Sequence, residues 1–571
     1  MTGGPEMYPA YLTLANIHSG VRMKASNNAW SCFAFLPIAK FKVNSDYQSI
    51  LSVRLWHACM DKAFAKCKVA ATKGHHIADP CGRLRKTFPL LAAWIADLPE
   101  QHLISAIANN ASPLSHVTTN QFGDDACHPP RHGHETLQRI YELTLRVDPW
   151  ELNNFQKEAK AIGLSGINMP FWHNWRLADP FYFLVPEILH TCHKFFYDHP
   201  LQWCVNAIGS YELNQRFQSL HSRVGFRHFS KGIMHVKQMT GHEHRDIQCS
   251  LVAVIAGAVP PRFLRAIRAI IDFIYQVQSP LLTDTSISWF VDSLQEFHDE
   301  KDAIIDAGAR MGSKTPIDHF NIPKLEIWHH FAASTRAMGA PIQWTADVTE
   351  RLHITKVKII FRGTNHRDFE EQCARSLDQS ERVHLFDLLC SFARPDESLA
   401  AFASPPAIQD ERILRSRCPT KNHFLKGFLS STSLAAFHLN QMPTFTSLSL
   451  EQATNLYALP DFWPALGDFT NGLLYQQRRG RRVARGHPDV GFDHICVWSH
   501  FRIQLHSVHD EQVVTPSQTI QALPPSESEG RLHGLCDAIL IHAHEGTEDE
   551  SVQGKSPDFL ARTRYYLLIS M

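Results

Sequence analysis

The sequence lacks any apolar segment long enough to cross a lipid bilayer. Its longest apolar stretch, residues 251–259, ends at Pro260-Pro261, whereas a spanning helix needs about 20 apolar residues. The region after Met1 also lacks the basic start and apolar run of a signal peptide. These absences argue against a membrane protein and predict a reducing compartment, in which the 13 cysteines remain mostly buried thiols.

The chain also has a formal net charge of zero, because 56 Lys and Arg residues balance 56 Asp and Glu residues. Global electrostatics therefore do not indicate nucleic-acid binding, which would depend on local clusters. One such cluster consists of Arg478, Arg479, Arg481, Arg482 and Arg485, with no acid among them. Adjacent cations repel one another unless an anion is near, so the cluster predicts phosphate contact or a nuclear import signal. The alternative is a solvated linker without a partner.

The beginning of the chain has the pattern of an α/β fold. Residues 8–17 and 32–38 resemble short strands, and residues 48–66 place apolar side chains at helical spacing. An almost unbroken apolar run follows and ends at Asp97. We predict that residues 88–96 form a strand buried on both faces, in one sheet with the strands at residues 8–17 and 32–38, with the Asp97 carboxylate where the strand leaves the sheet. The alternative is an acid that starts a surface turn.

Seven sequence blocks, in order, resemble Plavaka-type transposases of the Kyakuja-Dileera-Zisupton group of mobile elements. The resemblance extends from Tyr8 to about Leu568. The blocks are residues 8–17 (YPAYLTLANI), 96–101 (ADLPEQ), 186–190 (PEILH) with 195–199 (FFYDH), 225–229 (GFRHF), 238–246 (QMTGHEHRD), 297–302 (FHDEKD) and 344–350 (WTADVTE).

The resemblance implies an α/β fold with an RNase H-like core and three catalytic acids. It assigns Asp97 as the second acid and Glu350 as the third, with a large helical insertion between them. Amphipathic helices are predicted within that insertion at residues 180–199, 262–275 and 286–307. Such a core begins with three strands, followed by a helix and a strand. This chain begins with two strands, a helix and a strand, so it corresponds to the core from the second strand onward. The first strand and its acid are therefore expected to be missing, and Glu6 does not replace that acid. We expect an N-terminally truncated transposase that is inactive as written.

By resemblance, Asp97 and Glu350 hold Mg²⁺ or Mn²⁺ ions for DNA cleavage and strand transfer. Two divalent ions activate the attacking oxygen and stabilise the leaving oxygen, and such hard ions prefer carboxylate ligands. Other roles remain open for the nearby acids. Glu350 could be a surface acid on a helix that Thr345 caps, Asp347 a helix-terminal acid, and Asp79 a turn residue between two edge strands.

No cysteine cluster follows Asp97, although members of the resembled family have one with zinc-like spacing there. Cys127, His128, His132 and His134 are close in sequence, but their spacing is unlike a four-ligand zinc site. We therefore expect no structural zinc and interpret this segment as a His-rich surface loop. The pairs His242/His244 and His329/His330 are likewise expected on helix surfaces or in packing.

The last part of the chain changes to strand-like periodicity. Alternating apolar residues occur from Ile495 to Leu505, and further strands are predicted at residues 519–523, 538–542 and 565–569. The full predicted organisation is residues 1–118 (first part of the core), 119–335 (helical insertion), 336–380 (last part of the core, with Glu350), 381–488 (helices, linker and arginine cluster) and 489–571 (small β-rich domain).

Two functions from different classes follow from the sequence. The first is a metal-dependent transposase that acts in the nucleus on transposon ends and target DNA, as a homo-oligomer and without a membrane partner. The second is a decayed or domesticated remnant that binds DNA or protein without cleaving DNA. The coding DNA upstream of Met1 distinguishes these two functions. If it encodes, in frame, a further strand that ends in Asp, the transposase function is favoured.

Overall fold

The structure is a computed structural model with two compact units. It describes residues 8–79, 82–220, 227–236, 241–393, 435–439, 442–457, 459, 462, 466, 493–505, 517–526 and 535–536. The first unit combines residues 1–203 with 265–404, and the second combines residues 204–264 with 405–571. Both units mix helices with small sheets, as an α/β chain requires. The predicted domain boundaries remain predictions.

Six strands of the first unit form three separate two-stranded sheets. Strand β1 (Tyr8–Leu12) pairs antiparallel with β2 (Ser31–Leu36), with a register shift after Ala10. Strands β3 (His75–Ala78) and β4 (Leu84–Thr87) form a hairpin. Strand β5 (Trp94–Ile95) pairs parallel with β6 (Leu184–Val185). The prediction of one sheet through residues 8–17, 32–38 and 88–96 is therefore wrong.

The apolar run before Asp97 is not one continuous buried strand. It contains the end of β4 and all of β5, while Phe88 and Leu90 between them are 49% and 54% exposed. Pro89 lies in this gap, and proline cannot donate a backbone hydrogen bond to a neighbouring strand. Hydrophobicity alone thus overestimated the length of the strand.

Nineteen helices precede residue 394 in the described part of the chain. They are α1 (Ser19–Arg22), α2 (Ser45–Ala63), α3 (Ala65–Lys73), α4 (Leu98–Ser105), α5 (Gly133–Arg146), α6 (Leu152–Ala161), α7 (Pro180–Phe183), α8 (Lys194–Asp198), α9 (Pro200–Ile208), α10 (Ser210–Gln218), α11 (Gly241–Ile255), α12 (Pro261–Val277), α13 (Asp284–Glu300), α14 (Asp302–Asp306), α15 (Pro323–Trp328), α16 (Phe331–Met338), α17 (Asp347–Leu352), α18 (Ile359–Arg362) and α19 (Phe369–Ala393). Short 3-10 turns occur at Ala25–Asn27, Thr119–Gln121, Ile233–His235 and Pro341–Trp344, and π-helical turns at Leu189–His193 and His353–Lys358.

Helical periodicity predicted several of these elements correctly. The predicted amphipathic helix at residues 262–275 is α12, and the pattern at residues 286–307 corresponds to α13 and α14. The region 180–199 differs from its predicted single helix, because β6 and a π-helical turn interrupt it. Pro186 follows β6 directly, which separates the strand from the turn that comes next.

One hydrophobic cluster joins the sheets of the first unit. Buried Leu36 of β2 and Leu184 of β6 belong to it, and Tyr8 of β1 and Trp94 of β5 pack against it. The Trp94 ring centroid lies 5.4 Å from that of Phe171. Sheets β1–β2 and β5–β6 therefore share a core without hydrogen bonding to each other in the described residues.

The second unit contains the remaining strands. Strands β7 (Ala435–Leu439), β10 (His500–Leu505), β11 (Gln518–Leu523) and β12 (Leu535–Cys536) form a four-stranded sheet in the order β12-β11-β10-β7. Strand β8 (Phe445–Ser449) pairs with β9 (His494–Val497) and leads into helix α20 (Leu450–Leu456). The strands predicted around Ile495 to Leu505 and at residues 519–523 are confirmed. Those predicted at 538–542 and 565–569 lie outside the described residues.

None of the helices in the described ranges is both long and apolar enough to cross a membrane.

Candidate active site

The parallel pair β5–β6 brings two acids to one edge of a sheet. Trp94 pairs with Leu184 and Ile95 with Val185, and Asp97 and Glu187 each follow two residues after their strand ends. Because the strands are parallel, their carboxyl ends lie at the same edge. This edge is where α/β folds commonly place chemistry.

Asp97 ends the connection from β5 and begins α4. Its Oδ1 accepts a hydrogen bond of 3.0 Å from the backbone N–H of Glu100, and the extended backbone at Asp97 is typical of an N-cap. The sequence analysis gave two interpretations of Asp97, a carboxylate at the end of a strand and an acid that starts a turn, and each describes part of its environment. Asp97 lies at the end of a strand, and it also has a local structural role.

Glu187 is the acid whose role sequence reasoning missed. Its side chain is fully buried, and its oxygens accept hydrogen bonds from the backbone N–H groups of Leu189 (2.8 Å), His190 and Ala346 (3.3 Å). Oε1 also lies 2.9 Å from Nδ1 of His190. Ala346 is the N-cap of α17, so one carboxylate connects the end of β6 to the helix that contains Glu350. The signal in the sequence that could have identified Glu187 is its position two residues after a short apolar strand.

His190 lies between this buried carboxylate and Glu350. Its Nε2 is 3.9 Å from Oε1 of Glu350, and the two side chains are 31% and 62% exposed. Burial by itself lowers the pKa of His190, but the hydrogen bond and charge of Glu187, with the charges of Asp97 and Glu350, raise the pKa overall. His190 therefore lies close to Glu350, and the charge of Asp97 also contributes to its raised pKa.

The predicted cap of the Glu350 helix is displaced by one residue. Ala346, not Thr345, is the N-cap of α17. Thr345 nevertheless contacts Asp347, because its Oγ1 donates to Oδ2 of Asp347 at 2.8 Å. Asp347 therefore stabilises the beginning of the helix, while Glu350 lies one turn further along.

Glu100 provides a second carboxyl group beside Asp97. The Tyr8 hydroxyl donates to Oε1 of Glu100 at 3.1 Å. Burial, assisted by the charge of Asp97, raises the pKa of Glu100 to about 7, although the Tyr8 hydrogen bond opposes the increase. Burial lowers the pKa of Lys324, which also interacts with the charges of Glu187 and Asp97. Several ionisable groups therefore influence one another around the end of β5.

The donor chemistry of Asp97 and Glu350 suits a hard divalent ion, since both offer carboxylate oxygens. One Asp97 oxygen accepts the α4 cap hydrogen bond, and Glu350 is mostly exposed. Glu187 is committed to backbone donors instead. In the part of the chain that the structure describes, no three His, Cys, Asp or Glu side chains are arranged to hold a metal ion. The arrangement thus provides a pair of candidate ligands and a positioning carboxylate.

Residues 1–204 match the family model of Plavaka transposase. This part of the chain is therefore similar to Plavaka transposases. The Plavaka domain contains Asp97, Glu187 and His190, together with strands β1 to β6. It ends at residue 204, one residue after the end of the first segment of unit one at residue 203.

Glu350 lies outside the matched Plavaka range but within the same compact unit. A second family model, a domain of unknown function named DUF6830, matches residues 410–549 and includes strands β7 to β12. The arginines at 478–485 fall within that match and outside the described residues. No curated protein matches the chain.

The remaining candidate residues have local partners. Asp79 is a turn residue of the β3–β4 hairpin, as predicted, because its Oδ1 accepts from the Arg83 N–H at 2.9 Å and its Oδ2 from Arg85 at 2.7 Å. Nε2 of His128 lies 3.0 Å from Oδ2 of Asp124. Glu6 lies outside the described residues.

The predicted packing role of His330 is confirmed. Its Nε2 lies 2.8 Å from Oε1 of Glu326, and both residues are buried. The same carboxylate also accepts from the hydroxyl groups of Ser112 (2.6 Å) and Ser115 (2.5 Å). This buried cluster fixes helix α15 to the segment after α4.

Proposed function

We propose that this protein is a transposon-derived transposase whose chemistry, metal-dependent cleavage and joining of DNA strands with Mg²⁺ or Mn²⁺, is incomplete in this chain. The observation that carries the proposal is the position of His190, whose Nε2 lies 3.9 Å from Oε1 of Glu350 and whose pKa is also raised by the charge of Asp97, within a unit that contains the Plavaka match. Neither acid is a neighbour of the other in sequence. Folding alone brings their charges to one imidazole.

We also propose that the first unit is an RNase H-like core. The antiparallel pair β1–β2, helix α2 and the parallel pair β5–β6 follow one another in the order expected from the family resemblance. Their shared hydrophobic cluster supports one core rather than independent hairpins.

The metal ions would activate the attacking oxygen and neutralise charge on the leaving oxygen. Asp97 and Glu350 would hold them. Glu187 keeps α17 against the end of β6 through Ala346, and thereby keeps Glu350 near His190. His190 offers a polar contact to Glu350 from the same side.

We propose that cleavage by this chain alone is weak or absent. Asp97 and Glu350 are two carboxylates, and Glu187 is already occupied by four donors from the protein. Two divalent ions would remain underneutralised by two carboxylates, and at least one would be poorly positioned. This feature favours the second candidate function, a remnant that binds DNA without cleaving it.

For partners, we propose transposon-end and target DNA, with phosphate contacts from the arginines at 478–485. The same cluster supports nuclear residence, since basic segments act as import signals. We propose a homo-oligomer, because strand transfer joins paired ends. All three are open to direct measurement.

The test is a cleavage assay on element-end DNA with Mg²⁺ or Mn²⁺, using the full chain and the variants Asp97→Asn and Glu350→Gln. Asp347→Asn is the matched control, because it changes a carboxylate on the same helix one turn away. Cleavage lost in both variants and retained in the control supports the transposase. DNA binding without cleavage in every protein supports the remnant. Cleavage that survives Asp97→Asn would exclude Asp97 as a metal ligand.

A further inference from the structure

A strongly basic stretch of the chain follows Glu350 directly. Residues 351–367 contain no Asp or Glu, although acids and bases are equally frequent in the whole chain. The stretch contains five Lys and Arg residues, which together are called the basic surface: Arg351, Lys356, Lys358, Arg362 and Arg367. The excess of positive charge is therefore local, and it lies beside one of the two predicted catalytic acids.

The basic surface has no ion-pair partner within the described ranges of the chain. Three of its side chains are exposed and two are half-buried. Two acids flank the stretch. Glu350 lies near His190, and Asp368 forms no ion pair with the surface in the described residues. Because these cations are not neutralised by the protein, an anion that approaches the surface is attracted by all of them together.

Most of the basic surface lies on one continuous helical segment made of α17, the π-helical turn and α18. The backbone stays in the right-handed helical region at both junctions, His353 and Ile359. Residues about four apart lie on one face of a helix, which places Lys358 and Arg362 on the face of Glu350. Two cations at this spacing destabilise a helix slightly, and a bound phosphate would remove that cost.

The environment of His353 supports this arrangement. Burial and the positive charge of Lys358 lower the pKa of His353, although the charge of Glu350 opposes the decrease. Both charges are therefore close to one imidazole. Three buried apolar residues hold the other side of the same segment, namely Val348, Leu352 and Val357. The cations are thus presented from a helix that is anchored in the core of the first unit.

The basic surface is long enough to contact several phosphates in a row. At a rise of about 1.5 Å per residue, the segment from Arg351 to Arg362 extends about 16 Å. Each strand of duplex DNA carries one phosphate for about every 3.4 Å of the helix axis. Arg367 continues the surface in the loop after α18, where its backbone N–H donates to Oδ1 of Asn365 at 2.9 Å. A linear series of cations suits a phosphate backbone better than a single small anion.

We propose that the basic surface binds the phosphate backbone of duplex DNA beside Glu350. A strand whose phosphate reaches Glu350 would continue along α17 and α18, because the surface begins at the next residue. Lys and Arg contacts to phosphate fix the position of DNA without reading its sequence. The choice of DNA as the partner rests on the proposed function, and the surface is separate in sequence from the arginines at 478–485. An acidic protein segment is the alternative partner that the experiment tests.

The first measurement is the affinity of the full chain for a short duplex of unrelated sequence, by fluorescence anisotropy without divalent ions, over a series of salt concentrations. Lys358→Gln combined with Arg362→Gln should weaken binding at least about tenfold. The slope of log affinity against log salt should decrease by about 0.9 for each of the two phosphates released. The control combines Lys157→Gln with Lys160→Gln, which removes two exposed cations from α6 and changes the net charge equally. The control should bind like the native chain.

The second measurement is lysine acetylation with and without the duplex, read by mass spectrometry. Lys356 and Lys358 should be protected by DNA, whereas Lys157 should react equally in both samples. If the double variant binds like its control, or if both lysines stay unprotected, the proposal is overturned. Equal protection by polyglutamate would also overturn it, in favour of an acidic protein partner.

Failure of this proposal is distinguishable from failure of the cleavage proposal. Asp97→Asn removes a proposed metal ligand and no part of the basic surface, so it should retain the protection of Lys356 and Lys358. Loss of cleavage with retained protection then concerns the acids alone. Thermal unfolding of each variant shows whether it remains folded.

Discussion

At the scale of single residues, Glu187 links parts of the chain that are distant in sequence. Its carboxylate accepts from Leu189 and His190, just after β6, and from Ala346 at the start of α17. A buried carboxylate that accepts several backbone hydrogen bonds stabilises the fold through all of them together. If the carboxylate is removed, each backbone N–H is left without an acceptor, because folding has also removed the water that would otherwise bind it.

Replacing Glu187 with alanine should therefore destabilise the first unit strongly. Three backbone N–H groups would lose their acceptor, and we expect a loss of about 2–4 kcal/mol in the free energy of unfolding. Denaturant titration measures it. The control Glu371→Ala changes an exposed acid that pairs with Arg375 on its own helix. It should cost less than about 0.5 kcal/mol. Equal stability of the two variants would show that the Glu187 hydrogen bonds are not important.

Glu326 predicts how stability depends on pH. Burial by itself raises its pKa, but hydrogen bonds from His330, Ser112 and Ser115 lower the pKa overall, below the usual value of 4.5. Ionised Glu326 therefore stabilises the fold above about pH 4.5, and this contribution is lost as pH falls through the lower folded-state pKa. We expect the free energy of unfolding to fall less steeply between pH 5 and 3 in Glu326→Gln. Parallel pH profiles for the two proteins would contradict this.

At the scale of elements, sequence patterns predicted long helices better than short strands. The three-to-four residue periodicity of α12 and α13 is a local property, so it was visible in the sequence. Strands β5 and β6 each contain two residues, and their pairing joins segments some ninety residues apart. Such pairing is set by tertiary packing and leaves no local signal. Tertiary packing also explains which site residues could be predicted. Asp97 and Glu350 were predicted by family resemblance, whereas the role of Glu187 became visible only from its hydrogen bonds in the structure.

The cap of α4 allows the structural and chemical roles of Asp97 to be separated. Asp97→Ala removes the hydrogen bond to Glu100, and loss of such a cap costs about 0.5–2 kcal/mol. Asp97→Asn keeps a cap acceptor and should unfold within a few tenths of a kcal/mol of the native chain, since Asn and Asp cap about equally. Thermal or denaturant unfolding decides the point. If Asp97→Asn is as unstable as Asp97→Ala, the negative charge itself stabilises the helix, and loss of activity in that variant could not be assigned to chemistry alone.

At the scale of the whole molecule, the protein has no net charge to attract DNA. Nonspecific affinity should then depend on local clusters such as the arginines at 478–485. Replacing all five with serine should weaken binding to unrelated duplexes about equally, because phosphate contacts contain no base information. The slope of log affinity against log salt should decrease by about 0.9 for each phosphate that the variant no longer neutralises. Replacing an equal number of scattered exposed lysines is the control. An unchanged slope and unchanged nuclear entry would mean that the cluster is only a linker.

The link made by Glu187 also has a consequence for local opening of the structure. The amide hydrogens of Leu189, His190 and Ala346 all donate to one carboxylate, so none can be freed without disturbing the acceptor of the others. Hydrogen exchange reports such openings as cooperative units. These three amides should therefore exchange with deuterium in a single event, although Ala346 is far from the other two along the chain. In Glu187→Gln, the same amides should exchange faster and independently of one another.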